Sequence, residues 1–339
     1  MANAINDNIS YTYEGVKLLN PLFFEPVEDV PNPFDIFRFV PTKYKTQIHL
    51  PRAVRKIVQT ASGCGRPAGT KNFDLNSKEI VVDETRADMD QCYDTFNQNI
   101  FVESLQAGTE IDNLSETEIA RMVLRQFAEG WRSDLWRLSW FGDKAGASAD
   151  YTVTDGFFKR FFAAITGTTI GYSLDMSTDA TIEDVSGDLV ADGAIVALRK
   201  IYENGAKTLR AIPKAQQKFM VTCTVHDNLM TTYENLGTDS GLARVEDGSD
   251  SLKFRGIDVV IAPEWDLHLA DGDNEFNASV GKNAIVHTAP KTNLVYASDT
   301  TESSLRVRYS DDDDELMKVT GKIKIGTQVI EDSLVSFAY

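Results

Sequence analysis

The sequence predicts an α+β fold with mixed sheets, and three stretches carry that reading. Residues 115–140 repeat apolar side chains at helical spacing. From residue 217 the pattern changes to strand, helix, strand, and from 303 apolar and polar residues alternate with the period of a half-buried strand. With 339 residues, 42 % of them apolar, the chain can bury a large core or two moderate ones without disulfide or metal staples.

Residues 1–44 do not read as a domain. Pro21, Pro26, Pro31, Pro33 and Pro41 interrupt an aromatic stretch containing Phe23, Phe24, Phe34, Phe37 and Phe39. Proline at this density forbids a helix and favours extended backbone. An extended arm with so apolar a face needs a surface to lie on, either its own domain or a neighbouring copy.

Residues 45–105 read as short strands, KTQIHL, KIVQTA and KEIVVDET, around the loop ASGCGRPAGTKNFDLNS. A long hairpin of this composition cannot supply its own core. It projects, or it rests on something else.

The helix at 115–140 opens with the capping box Ser115 and Glu118. Ile119, Met122, Val123, Phe127, Trp131, Leu135 and Leu138 form its apolar stripe, with Arg121, Arg125, Arg132 and Arg137 on the other faces and a weak point at Gly130. A second helix is expected at 155–166, ending at Gly167, and a third at 188–204, ending at Gly205.

KFMVTCTV reads as a strand buried on both faces, followed by the short helix HDNLMTTYENLG. LKFRGIDVVIAP gives two half-strands broken at Arg255-Gly256, and NAIVHTAP and NLVYASD give two more. In the tail Leu305, Val307 and Tyr309 alternate with polar residues. Val319, Ile323, Ile325 and Val329 then share one face, and Lys318, Lys322, Lys324 and Gln328 the other.

The formal net charge of −17 argues against a partner gripped mainly through phosphate, and against an anionic membrane surface. Cys64, Cys92 and Cys223 form no CxxC pair and read as reduced thiols. The first residues lack a secretory pattern and no apolar run approaches a bilayer span, so a soluble product of the cytoplasm is expected.

No reactive constellation emerges. His49, His226, His268 and His287 are dispersed, and His226, at a strand-to-helix boundary, reads as a turn residue rather than a general base. Cys64 in SGCGR has an arginine nearby but no strand-to-helix elbow and no partnering histidine. Phosphate-cradling glycine motifs are absent. Asp311–Asp314 with Glu315, and the run Asp271–Glu275, have calcium-loop residue types without the spacing, and read as solvated turns. The expectation is therefore no catalytic, cofactor or metal site, and a protein that binds or builds.

The order of arm, hairpin, long helix, strand–helix–strand unit and returning β tail resembles the tailed-phage major capsid proteins of the Hong Kong ninety-seven type. The residues that carry the resemblance are SETEIARMVLRQFAEGWRSDLWRLSWFGD for the spine helix, and KFMVTCTVHDNLMTTYENLG with LKFRGIDVVIAPEWD for the axial domain. The resemblance implies an N-terminal arm at 1–44, an extended hairpin loop at 45–105 and a peripheral domain at 106–187. An axial domain at 188–300 follows, and a C-terminal segment at 301–339 that returns to the peripheral domain. It implies a subunit that assembles with itself into hexamers and pentamers of an icosahedral shell, enclosing double-stranded DNA without sequence-specific binding and contacting no membrane. Such a subunit is assembled in the host cytoplasm and ends in the virion.

Phe23, Phe24, Phe34, Phe37, Phe39, Lys71 and Lys78 are then candidates for the subunit interface, and Ile119, Val123, Phe127, Trp131 and Leu135 for the spine-helix core. Some members of the family join a hairpin lysine to a neighbour's asparagine; Lys71 and Lys78 lie in the hairpin here, with no partner identified. The charged helical scaffolding region of many members is missing, so a separate scaffolding protein is implied, alongside portal and decoration proteins. The competing readings are an encapsulin-like compartment of the same fold, and an unrelated α+β enzyme or binding protein.

Overall fold

The structure, a computed structural model, describes residues 10–14, 36–52, 74–92, 118–235, 252–270, 276, 281–299, 304–310 and 316–339. Among the described residues the strands form two six-stranded sheets and a two-stranded hairpin.

In chain order the first elements are β1 (Ser10–Glu14), β2 (Arg38–Pro41), β3 (Lys45–Arg52), β4 (Asp74–Val81) and β5 (Asp83–Cys92). Then come α1 (Glu118–Phe141), α2 (Phe157–Thr166), β6 (Tyr172–Leu174) and α3 (Gly193–Asn204). The strand–helix–strand unit is β7 (Lys218–Val221), α4 (Cys223–Asn235), β8 (Lys253–Phe254), β9 (Ile257–Ile261), α5 (Pro263–Ala270) and β10 (Ile285–Thr288). The chain closes with β11 (Leu294–Ser298), β12 (Ser304–Ser310), β13 (Leu316–Val329) and β14 (Val335–Ala338).

β13 organises the first sheet. It pairs with β12, with β11 and, along its other edge, with β5, while β1 and β2 complete the ends. Its expected two-faced pattern holds: Val319, Ile323, Ile325 and Val329 are all buried, and Lys318, Lys322, Lys324 and Gln328 are half-buried on the opposite face. The second sheet runs β6-β14-β10-β7-β9-β8 and mixes parallel with antiparallel pairs. It is covered on both sides. Met220, Val286 and Phe337 point into a core shared with α1, α2 and the first sheet, and Phe219, Val221 and Ile285 into a second core under α3 and α4. That two-sided burial is why KFMV is apolar without alternation.

Several expectations shift by a few residues, each for a non-local reason. The run KFMVTCTV stops as a strand at Val221, and α4 begins at Cys223. The cause is Asp266 on α5, whose carboxylate accepts the backbone N–H of Cys223 at 2.7 Å and caps α4 from outside it. KEIVVDET is not one strand: its first half pairs with β3 and its second half, from Asp83, with β13. α1 runs unbroken through Gly130, and Arg132, expected on an outer face, is buried. α3 starts at Gly193 rather than 188, because the chain first makes a tight acidic loop. The Arg255-Gly256 break is a turn with both residues at positive φ, 51° and 83°, the geometry of a two-residue hairpin.

The sheets also cut across the expected segments. β5, from 45–105, joins the first sheet; β11, from 188–300, does so too; and β14, from 301–339, ends in the second sheet.

Candidate functional site

Surfaces that could meet a neighbour are built from three parts of the chain: the arm, the hairpin and the spine helix α1. The arm is not free along its whole length. Ile36 and Phe37 are buried, and Phe37 stacks on Phe157 at 5.0 Å and meets Trp136 at 5.4 Å and Trp140 at 5.6 Å. Residues 38–41 then form β2, in parallel register with β11. Phe37 is therefore a core residue of its own subunit, and Phe39 is half-buried against the same core. Of the two surfaces left open for the arm, its last residues take their own domain. Phe23, Phe24 and Phe34 lie outside the described residues, as does Lys71.

The hairpin pairs β3 with β4 from Lys45↔Val81 to Arg52↔Asp74. Its root is anchored. Ile48 and Ile80 pack on Val295, Ala297 and Ile330 of the main body. Lys78, expected at a subunit interface, is spent inside the chain: its Nζ donates to the Val329 carbonyl at 2.9 Å and to Asp332 Oδ1 at 2.6 Å. Gln328 Nε2 donates to the Glu79 carbonyl at 2.8 Å. Gly326 lets the Val81 carbonyl come so close that a Cβ there would stand 2.2 Å away. The root thus has a fixed angle against β13, and at its base Tyr44 and Val81 are exposed. KIVQTA and the loop containing Cys64 lie outside the described residues.

Along α1, Phe127, Trp131 and Leu135 are buried as expected; Ile119 and Val123 fall within the helix, their side chains outside the described set. The joint between α1 and α5 is aromatic, with Trp140 and Trp265 edge to face at 4.6 Å. Beside it sits Glu264, buried, its Oε2 without a hydrogen-bond partner among the described residues. Burial pushes its carboxyl up to about 7 and the nearby Asp134 adds to this, against a hydrogen bond from Ser133 and the charge of Arg137. The folded state therefore holds this proton to higher pH than the unfolded chain. Its stabilisation is complete below the ordinary carboxylate value of 4.5 and is lost as pH rises to about 7. Glu264→Gln should flatten that dependence and raise stability at pH 8 by roughly 2–3 kcal/mol. Denaturant melts of the unassembled subunit across pH check this, and parallel profiles for the two proteins would overturn it.

The residues weighed for chemistry do not converge. His49 is exposed, His226 stands 3.6 Å from Asp227, and His268 lies against Phe141 at 5.6 Å. His287 is buried and stacked on Phe219, its Nε2 3.0 Å from Gln217 Oε1, and burial pulls its ring down to about 4. Burial and the adjacent Asp266 push the Cys223 thiol up to about 11, far from a reactive thiolate. Among the described residues no group of three or more His, Cys, Asp or Glu side chains could hold a metal ion, and no helix is long and apolar enough to cross a membrane. Asp271–Glu275 and Asp311–Glu315 lie outside the described residues.

No protein-family model matches the chain, and no curated protein matches it. Solved structures do. A chain of the satellite phage P4 procapsid with its size determination protein is 12 % identical and superposes with a TM-score of 0.61, covering 95 % of this chain and 89 % of that one. The cyanophage P-SCSP1u capsid gives 10 % identity and a TM-score of 0.53 over 93 % and 89 %. The capsid of the Myoviridae phage XM1 gives 12 % and 0.52 over 96 % and 92 %. The similarity spans nearly the whole length in both directions. The chain has the major capsid fold of the tailed phages.

Proposed function

We propose that the protein is a major capsid subunit, a structural component of a virion whose copies associate into an icosahedral shell around double-stranded DNA. The observation that supports this most directly is the two-way coverage: nearly all of this chain matches nearly all of chains from phage capsids, with no large domain left over for another task. The hairpin supports it independently. Its root is anchored through Ile48 and Ile80 on Val295, Ala297 and Ile330, while Tyr44 and Val81 beside it stay exposed, apolar surface that a neighbour would bury. Hexamers and pentamers are the ring units this reading requires, because contacts between unlike faces close by rotation. A scaffolding protein, a portal and decoration proteins are its expected partners, and assembly takes place in the host cytoplasm. The subunit acts by building and not by catalysis.

The test is to purify the full chain and follow it by size exclusion and negative-stain microscopy. Rings, sheets or closed particles are the expected result. A monodisperse monomer that persists at high protein concentration, with and without a co-expressed scaffold, would overturn the reading.

A further inference from the structure

The second sheet has two ends of opposite charge. β6, β14, β7 and β9 run in one direction and β10 against them, so Tyr172, Val335, Lys218 and Ile257 mark one end, and Leu174, Ala338, Val221 and Ile261 the other. At the first end the chain returns from α3 through Lys207, Arg210 and Lys214, all exposed, and the β8–β9 turn adds Lys253 and Arg255, exposed as well. In a chain of net charge −17 this is a local reversal of sign. The acids interleaved there are spent: Glu203 accepts from Arg255 at 2.8 Å, and Asp258 lies 3.2 Å from Lys253. Asp332, which adjoins the 207–210 turn, is held by Lys78. The patch is also rigid. The Arg255 guanidinium lies 5.0 Å from the Tyr202 ring, and Lys214 Nζ fixes the turn through the Arg255 carbonyl at 2.7 Å.

The other end carries the loop between β6 and α3, with Asp175, Asp179, Glu183, Asp184, Asp188 and Asp192. It too is pre-formed. Asp184 Oδ1 accepts the N–H groups of Ser186 at 2.8 Å and Asp188 at 3.0 Å. Asn283 ties the loop down through Glu183 at 2.8 Å and the Gly187 carbonyl at 3.1 Å. Lys200 and Lys282 pair with Asp179 and Asp188, and the remaining carboxylates leave the end acidic.

We propose that these ends are the two halves of one contact between copies: the basic end around Arg255 and Lys214 of one subunit docks on the acidic 175–192 loop of the next. This rests on the shell reading above. Both surfaces sit on one rigid sheet, and a two-fold pairing of either end with itself would oppose like charges. A head-to-tail arrangement joins unlike charges, and a head-to-tail contact that closes makes a ring. Charge complementarity of this kind speeds encounter and rejects wrong orientations more than it adds affinity.

The experiment uses two full-length variants. Lys207→Glu with Arg210→Glu and Lys214→Glu makes both ends acidic; Asp175→Lys with Asp188→Lys and Asp192→Lys makes both basic. Each alone should assemble roughly tenfold or more slowly than the natural chain, judged by light scattering well below its own melting temperature. Mixed one to one, the two should alternate and recover assembly. Alternation closes a six-membered ring but leaves one like-charge joint in a five-membered ring, so the mixture should give flat or tubular hexamer arrays and few closed particles. Assembly of either variant alone at the natural rate, or no recovery on mixing, overturns the contact. Recovery with normal closed particles overturns it as well. If either variant melts early, the natural chain decides by its salt dependence: the contact requires assembly to slow as salt is added, and a rate that only rises counts against it. A natural chain that never leaves the monomer defeats the shell reading instead.

Discussion

Trp131→Ala should lower the stability of the unassembled subunit by about 3–5 kcal/mol, the usual range for a buried indole, and the loss should be coupled to a glycine far away in sequence. Trp131 is 4 % exposed and packs against Phe127 at 5.6 Å. Its six-membered ring closes on β13 at Gly321, where an added Cβ would stand 2.5 Å from Cζ3, 2.6 Å from Cη2 and 2.9 Å from Cε3. A rigid, enclosed ring cannot yield that distance by a rotamer change, so Gly321→Ala should itself cost about 1–3 kcal/mol by overpacking. In the Trp131→Ala background the methyl has space and fills part of the cavity. The double variant should therefore be more stable than the sum of the two losses predicts, by about 1 kcal/mol or more. Chemical denaturation of the four proteins measures it. Simple additivity would mean that the helix and β13 do not meet at this point.

The same pair separates what was legible in the sequence from what was not. The stripe through Phe127, Trp131 and Leu135 and the alternation Val319, Ile323, Ile325, Val329 are periodic signals, and both faces are buried where the periods place them. Periodicity says which side of an element is covered but not by what. That Trp131 lies on Gly321 depends on two segments far apart in the chain, and the glycines at 321 and 326 inside a strand were the sole local sign of close approach.

Phe37 was misread for a related reason. In a proline-rich stretch it looked like part of a detached apolar face, whereas its ring fills a gap between Trp136, Trp140 and Phe157, a site that exists only once α1 and α2 are packed. Lys78 shows the same limit of local reading: its partner, Asp332, comes from the far end of the chain. Deleting residues 1–44 would consequently remove β2 and a core aromatic, and is not a clean test of the arm. The two charged ends were the least legible of all. No local pattern marks them, because the 207–214 turn and the Arg255 turn meet only through strand order.

Gly326→Ala should abolish closed particles while leaving the subunit folded. A Cβ at this position would lie 2.2 Å from the Val81 carbonyl oxygen, 3.1 Å from its carbon and 3.2 Å from the Val82 Cα. All three are backbone atoms at the join of β4 and β5, so no side chain can turn aside, and β4 itself must lift. Lifting it withdraws Ile80 from Val295, Ala297 and Ile330 and stretches the bonds from Gln328 to the Glu79 carbonyl and from Lys78 to the Val329 carbonyl. The main core lies on the other face of β13, under Ile323 and Ile325, and does not depend on this contact. The stability loss should then stay near 1–3 kcal/mol, while protease cleavage within 53–73 accelerates and negative-stain images lose their closed shells. Lys78→Met is the control. It removes a partly exposed ion pair worth about 1 kcal/mol or less and leaves the Ile48 and Ile80 anchor in place, so particles should persist. Normal shells from Gly326→Ala would mean that the hairpin's angle at its root does not matter for assembly. Loss of shells from Lys78→Met alone would mean that the angle is set by that ion pair and not by the packed root.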